Sequence, residues 1–333
     1  MNPASPERFN ILSLDGGGLK GLFSAAVLAE FERDLNISLV DHFDLICGTS
    51  TGGLIALGLG AGMSPDEIVE FYVTHGPRIF PRRSWIRQVF SSKHKPEQLR
   101  AALEETFGDR VLRDSKKRLL IPSYTLDGDE VYVFKTPHHK RLTRDGSELM
   151  VDVGMATSAA PTFLPVFKLR NNRLIDGGVW ATNPTFAGIA EAISMLGIPL
   201  SAIHVLSLGS TDAVSANKTS LDRGGFFQWR RAGAKVLLRA QSLGTLHAAE
   251  HLITPQRIER IDPKVSDGLF NLDRIDVGAI RGIAEDVSRR CSPKIIPFTA
   301  HRADDPWQAS VRDHSSVTPP DQDQTSPTRG GPA

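Results

Sequence analysis

The sequence predicts an α/β fold with a largely parallel central sheet, and three observations carry that expectation. Across the first two-thirds of the 333 residues, apolar runs of strand length alternate with helix-length stretches. Two of the strand-to-helix junctions are rich in glycine, at 16–21 and 48–53. The residues with chemical promise, around Gly17, Ser50 and Asp176, each follow a strand-like run. Open parallel sheets keep their sites at such carboxyl ends.

Taken in order, the first strand is expected at 9–14 and runs into Asp15-Gly16-Gly17-Gly18-Leu19-Lys20-Gly21. A helix follows over 22–35, where Val27, Leu28, Phe31 and Leu35 recur at helical spacing. The second strand is placed at 43–47. The helix after it, 51–59, is apolar and glycine-rich on all sides, so it reads as buried, with its positive N-terminal end under Ser50. Further strands are expected at 119–124, 131–134, 173–175 and 203–208, and the stretch 227–253 is rich in helix formers, most clearly at 234–238. One domain over 9–300 is therefore expected, with a motif-bearing core at 9–209 and a mainly helical continuation at 210–300. The segment 303–333, rich in Pro, Ser, Asp and Gly, reads as a disordered tail dispensable for chemistry. No internal repeat is evident.

The most informative run is Gly48-Thr49-Ser50-Thr51-Gly52 after the apolar Leu45-Ile46-Cys47. A strand ending in Gly-x-Ser-x-Gly can hold one serine hydroxyl at a strained strand-to-helix bend. A plain tight turn is the competing reading. The cluster Gly16–Gly18 places backbone N–H groups at a second strand-loop-helix junction, suited to an anion such as the oxyanion of a tetrahedral acyl intermediate. The rival use is a dinucleotide: Gly16-x-Gly18-x-x-Gly21 matches the Rossmann spacing, and Asp41 and Asp44 lie near the distance of a ribose-binding acid. A Gly-flanked serine on the next strand has no purpose in that fold. Asp176-Gly177-Gly178 supplies a carboxylate at another loop, as a base for serine or as an ordinary Asp-Gly turn.

Together and in this order, the glycine cluster at 15–21, the serine run at 48–52 and the triplet at 176–178 resemble the patatin-like phospholipase family. The stretch Ala156-Thr157-Ser158-Ala159-Ala160-Pro161-Thr162-Phe163-Leu164-Pro165 is similar to the family's segment before its aspartate, so the likeness spans about 9–209. The resemblance implies a three-layer α/β/α fold and a Ser-Asp dyad that needs no histidine. Ser50 would attack the ester carbonyl of a membrane phospholipid and form an acyl-enzyme, and Asp176 would act as base. The amides of Gly16, Gly17, Gly18 and Thr51 would form the oxyanion hole. Gly21, Gly48, Gly52, Gly177 and Gly178 are the remaining motif glycines. Lys20 stands where the family usually has arginine, which keeps the charge and loses the planar fork. No cofactor and no metal are implied. The compact form also resembles bacterial patatin-like effectors of antiphage signalling, which a cyclic nucleotide switches on to degrade the host membrane; a cyclic-nucleotide activator and a homo-oligomer are therefore among the partners expected. A constitutive patatin-like lipase and a dinucleotide-binding oxidoreductase are the alternatives.

Bulk properties narrow the classes. A net charge of +1 creates no field for a nucleic acid polymer. The two cysteines, Cys47 and Cys291, point to a reducing compartment, with Cys47 read as a buried thiol. No run approaches a secretory signal or a membrane span, so a cytoplasmic enzyme meeting lipid peripherally at the inner membrane surface is expected. Within 82–95, Trp85, Ile86, Val89 and Phe90 fall on one helical face with Arg83 and Arg87 beside them, either an interfacial anchor or a face packed on the core. Arg110, Arg113, Lys116, Lys117 and Arg118 read as a solvated face. His138 and His139 fall in a polar stretch and His204 in a core strand, all read as structural.

Overall fold

A computed structural model describes residues 7–79, 96–210, 222, 225–264 and 277–303. Its elements are β1 (Phe9–Leu14), α1 (Gly21–Leu35), β2 (Leu45–Gly48), α2 (Thr51–Gly60), α3 (Pro65–Ile79), α4 (Pro96–Phe107), β3 (Arg118–Thr125) and β4 (Glu130–Lys135). There follow α5 (Met150–Thr157), β5 (Phe167–Leu169), β6 (Asn172–Asp176), α6 (Gly178–Ala181), α7 (Thr185–Ser194), β7 (Ile203–Leu208), α8 (Phe226–Ile253), β8 (Ile258–Ile261) and α9 (Val277–Thr299).

All strands join one sheet in the order β5-β6-β3-β2-β1-β7-β8, with β4 on the other edge of β3. From β3 to β8 every pairing is parallel, while β4 and β6 pair antiparallel with β3, and β5 antiparallel with β6. Period-two alternation sorts the strand residues onto two faces. Leu12, Leu14, Ile46, Leu206 and Leu208 enter the core shared with α1, α2, α3 and α9. Phe9, Ile11, Leu45, Cys47, Ile203 and Val205 enter the core under α7 and α8. Two helical layers over a sheet buried on both faces make the three-layer α/β/α architecture. The second helix is buried along its whole length, as its all-round apolar sequence requires.

Register on β3 decides where the site forms. β2 pairs with Arg118–Leu120 and β6 with Ser123–Thr125. Both lie on the edge opposite β4, and they run in opposite directions, so their carboxyl ends meet head-on near Pro122. Gly48 and Asp176 are those two ends.

The last described residues close the fold against its first strand. Asn10 Nδ2 donates to the carbonyl of Phe298 (3.0 Å), His301 Nε2 meets Asp44 Oδ2 at 2.7 Å, and the Ala303 N–H donates to the carbonyl of Asp41 (2.9 Å). The ordered fold therefore runs past the expected limit at 300. Residues 304–333 and the segment 82–95 lie outside the described residues.

Several expectations change. The second strand begins at Leu45, because Phe43 turns its ring toward Phe298 (5.8 Å between centroids) and the Asp44 N–H is spent on the Asn10 carbonyl. The continuation contains a sheet strand, β8, whose Ile258-Glu259-Arg260-Ile261 is too short and too charged to read as one. The basic cluster is partly engaged: Arg118 Nη1 donates to the Asp44 carbonyl (3.3 Å) and Arg113 Nε to that of Gly146 (3.1 Å). Among the described residues, no helix is long and apolar enough to cross a membrane, and no group of three His, Cys, Asp or Glu could hold a metal ion.

Candidate active site

Ser50 sits between β2 and α2 with φ 55° and ψ −122°, a left-handed backbone that a non-glycine residue adopts only under constraint. The constraint is close packing on both sides. A Cβ added at Gly48 would lie 2.2 Å from the Gly52 carbonyl oxygen, and one added at Gly52 would lie 2.3 Å from that of Leu14. The bend is also tied down by hydrogen bonds. The Ser50 N–H donates to Thr157 Oγ1 (3.0 Å), and that hydroxyl donates to the Pro122 carbonyl (2.7 Å). Sequence reading placed Thr157 in a family-like stretch and gave it no role.

Asp176 reaches Ser50 from the opposite direction. The Ser50 hydroxyl hydrogen-bonds its carboxylate, and the Gly178 N–H donates to Oδ1 at 2.7 Å. Asp176 is only 5 % exposed. Burial raises its pKa to about 6, against the pull of these two neutral donors. Gly177 lets the turn pass β3, since a Cβ there would lie 2.3 Å from the Pro122 carbonyl oxygen. A buried carboxylate bonded to a strained serine can accept the serine proton near neutral pH.

The glycine loop lies against this pair. A Cβ at Gly16 would be 3.3 Å from Ser50 Cβ. Its own N–H donates to the Thr182 carbonyl (2.9 Å), so Gly16 anchors the loop and does not offer a donor, which corrects the expected oxyanion set. The Gly17 N–H makes a longer bond to Thr51 Oγ1 (3.2 Å). Gly18 has φ 62° and open space where a side chain would stand. The Thr51 N–H is at the first position of α2, where no residue of the helix can accept it. Gly21 packs on Tyr72 and Thr51, and Tyr72 donates to the Thr51 carbonyl (3.1 Å). Lys20 lies half-buried in the 3-10 turn Gly18–Lys20.

Sequence reading missed a buried ionic group behind the loop. Arg260 on β8 forks onto Asp15 through Nη1 to Oδ1 (2.9 Å) and Nη2 to Oδ2 (2.6 Å), and also meets Asp262 (3.3 Å) and Ser207 Oγ (2.7 Å). Arg239 on α8 pairs with Asp262 at 2.8 Å, and Ser242 donates to Asp15 (3.2 Å). Burial pushes the Asp15 carboxyl up and the Arg260 fork works against that push. These partners lie more than 220 positions from Asp15, so no local pattern announces them.

The dinucleotide alternative fails on position. Asp44 is bonded to the Asn10 N–H (2.7 Å) at the amino end of β1, whereas Gly16 follows its carboxyl end. A six-residue strand of roughly 20 Å separates the supposed ribose acid from the loop. The histidines take structural places: His138 Nε2 meets Glu191 at 3.1 Å inside the core, and His204 Nδ1 meets the Ala202 carbonyl at 3.0 Å.

A family model described as patatin-like phospholipase matches residues 12–189, which include the serine bend, the glycine loop and Asp176. The chain belongs to the patatin-like phospholipase family. Its class is that of the lipid acyl hydrolases. A relative from Pseudomonas aeruginosa named cGAMP-activated phospholipase is 33 % identical over 90 % of this chain and 94 % of its own length. Relatives of the same name from Escherichia coli and Vibrio cholerae are 34 % and 33 % identical, over 61 % and 72 % of this chain and 62 % and 75 % of theirs. The likeness to the first of these covers more of the chain than the matched segment and takes in α8, β8 and α9.

Proposed function

We propose that the chain hydrolyses acyl esters of membrane phospholipids with Ser50 as nucleophile and Asp176 as its base, and that a cyclic nucleotide switches this activity on. The observation that carries the chemistry is the hydrogen bond from the Ser50 hydroxyl to a buried carboxyl whose pKa is raised to about 6. In this reading Asp176 takes the serine proton as Oγ attacks the ester carbonyl, then returns it to the leaving alcohol. The N–H groups of Gly18 and Thr51 hold the developing oxyanion, joined by that of Gly17 once it exchanges its long bond to Thr51 Oγ1 for the oxyanion, and helped by the positive end of α2. Water, activated by the same carboxylate, releases the fatty acid from Ser50. The fold needs no cofactor for these steps.

Control by a nucleotide rests on the three relatives named as cGAMP-activated phospholipases, the first of which aligns along nearly the whole of both chains. The reading places the enzyme in the cytoplasm, reaching lipid by peripheral contact with the inner membrane surface.

The test is mass spectrometry of lipid products from vesicles of mixed bacterial phospholipids, with and without a panel of cyclic di- and trinucleotides. Free fatty acid and lysophospholipid are expected with one of the nucleotides and not with the Ser50→Ala variant. Full release without any nucleotide removes the switch and leaves a constitutive lipase. Release by Ser50→Ala removes the dyad.

A further inference from the structure

Two of the three proposed oxyanion donors, Gly17 and Gly18, lie on a stretch of three glycines, Gly16–Gly18, that has no side chain with which to hold its own shape. Glycine gives the backbone freedom and no anchoring contact. Apart from the long bond of the Gly17 N–H to Thr51 Oγ1, what keeps these amides aimed acts on the residues at the loop's entrance, and those residues are gripped from two sides.

On one side, Asp15 is 4 % exposed and takes both arms of the Arg260 guanidinium, with Ser242 as a third donor. Its N–H is also fixed, to the Leu208 carbonyl (3.0 Å). Arg260 is itself braced by Ser207 Oγ, which accepts from Thr185 Oγ1 (3.2 Å), and by Asp262, which is held in turn by Arg239. Two carboxylates and two guanidiniums thus neutralise each other in a group that is buried except at Arg239, which is partly exposed. Gly209 makes room for it, since a Cβ there would lie 2.2 Å from Asp262 Oδ1 and 2.7 Å from Arg260 Nη2.

On the other side, the Gly16 N–H rests on the Thr182 carbonyl (2.9 Å), and the Thr182 N–H donates to Gln241 Oε1 (2.8 Å). Gln241 Nε2 donates to the Trp180 carbonyl and to Thr245 Oγ1 (3.1 Å). Arg239, Gln241 and Ser242 all belong to α8, and Arg260 to β8, outside the matched segment 12–189.

We propose that Arg260, supported by Gln241 and Ser242, is the positioning residue of the oxyanion loop: its fork on Asp15 keeps the Gly17 and Gly18 amides aimed at the carbonyl oxygen above Ser50. This rests on the Ser50–Asp176 reading. Arg260 touches no substrate. An oxyanion donor acts only in the transition state, so displacement of the loop lowers kcat and leaves substrate binding nearly intact. Since Asp176 sits on a different strand, the pH midpoint of the reaction is untouched by Arg260.

The experiment uses the full chain, with its activating nucleotide if one is required, and a soluble short-chain p-nitrophenyl ester. It compares Arg260→Lys, Gln241→Ala and the double variant Asp15→Asn/Arg260→Met, which removes both charges together. Three readouts are taken: kcat and KM, the pH midpoint, and the rate at which a fluorophosphonate labels Ser50, located by mass spectrometry. The expected result is a fall in kcat of about 100-fold in the double variant and about 10-fold in Arg260→Lys. Gln241→Ala falls by less. KM stays within about twofold, the midpoint stays near 6, and labelling slows in parallel with kcat. Should the double variant fail to unfold cooperatively, Arg260→Lys, which keeps the buried charge, decides alone. A kcat within about threefold of wild type in folded variants, or a loss carried by KM, overturns the proposal. Ser50→Ala runs alongside: turnover or label in that variant overturns the dyad, whatever the Arg260 variants do.

Discussion

Asp176, at the end of β6, and Asp15, at the end of β1, are both buried beside the same turn, yet the donors around them differ in charge. Asp176 has a hydroxyl and a backbone N–H, both neutral, so burial wins and its pKa rises to about 6. Asp15 has a guanidinium fork 2.6–2.9 Å away and a second arginine one carboxylate further on. One corner is equipped to exchange a proton. The other is equipped to stay put. Burial is the largest influence on both carboxyls and raises both, so burial alone does not mark a base: a guanidinium fork opposes the rise at Asp15, and only neutral donors oppose it at Asp176.

The largest effect expected on this contrast comes from the Asp176 corner. Ser50→Ala and Asp176→Asn each lower ester hydrolysis by about 10⁴-fold in a folded protein, read as initial rates on a soluble ester. A smaller loss at either residue takes it out of the chemistry. Next is pH. Asp176 must be ionised to accept the serine proton, so kcat/KM falls about tenfold per unit below about 6 and is flat above it. Asp15→Asn is expected to leave that midpoint in place, and a shifted midpoint would mean that the two corners are coupled.

Stability separates the corners by sign. The folded-state pKa of Asp176, about 6, lies above the ordinary aspartate value of 3.8, so the native state holds the proton more tightly between those values. That contribution is present at acid pH and is lost as pH rises through 6. Asp176→Asn should therefore raise unfolding free energy at pH 8 by on the order of 2 kcal/mol while abolishing activity. Asp15→Asn leaves part of a buried guanidinium uncompensated and should lower it by about 3 kcal/mol. Denaturant titrations of both variants at pH 8 test the opposition. The smallest effect is expected at Thr157→Val, which leaves the Ser50 N–H unpaired and costs about 1–2 kcal/mol. Its rate falls modestly, because the serine bend loses one of its ties.

The chemistry was legible in the chain because close packing leaves a signature. Gly48, Gly52 and Gly177 stand where carbonyl oxygens pass within 2.3 Å of any added side-chain atom, so the site writes itself as glycine around Ser50 and Asp176. The strands β1, β2, β3 and β7 were legible for a related reason: buried on both faces, they read as mainly apolar runs of strand length, broken by few polar residues. The support was not legible. Arg260 and Gln241 act through bonds across 245 and 59 residues, to Asp15 and Thr182, and sit in segments with ordinary surface-like composition. Gly16 was misassigned for the same cause, since its Thr182 partner is 166 residues away. α9 carries Pro293 and Pro297 inside the helix, which a local reading takes as breaks. Packing on α1, the bond of Asn10 to the Phe298 carbonyl in its last turn and that of His301, just past its end, to Asp44 hold it in place.

That last contact sets how the molecule can be handled. Residues 7–10 and 298–303 are fastened to each other at the amino ends of the parallel strands, whereas Ser50 opens at their carboxyl ends, roughly 20 Å away across the sheet. A linker joined directly before residue 7 or directly after residue 303 thus starts on the side facing away from the serine. Immobilised by such a linker on a bead or sensor chip, the protein would present its reactive side to the solution and could be offered vesicles without being turned toward the support.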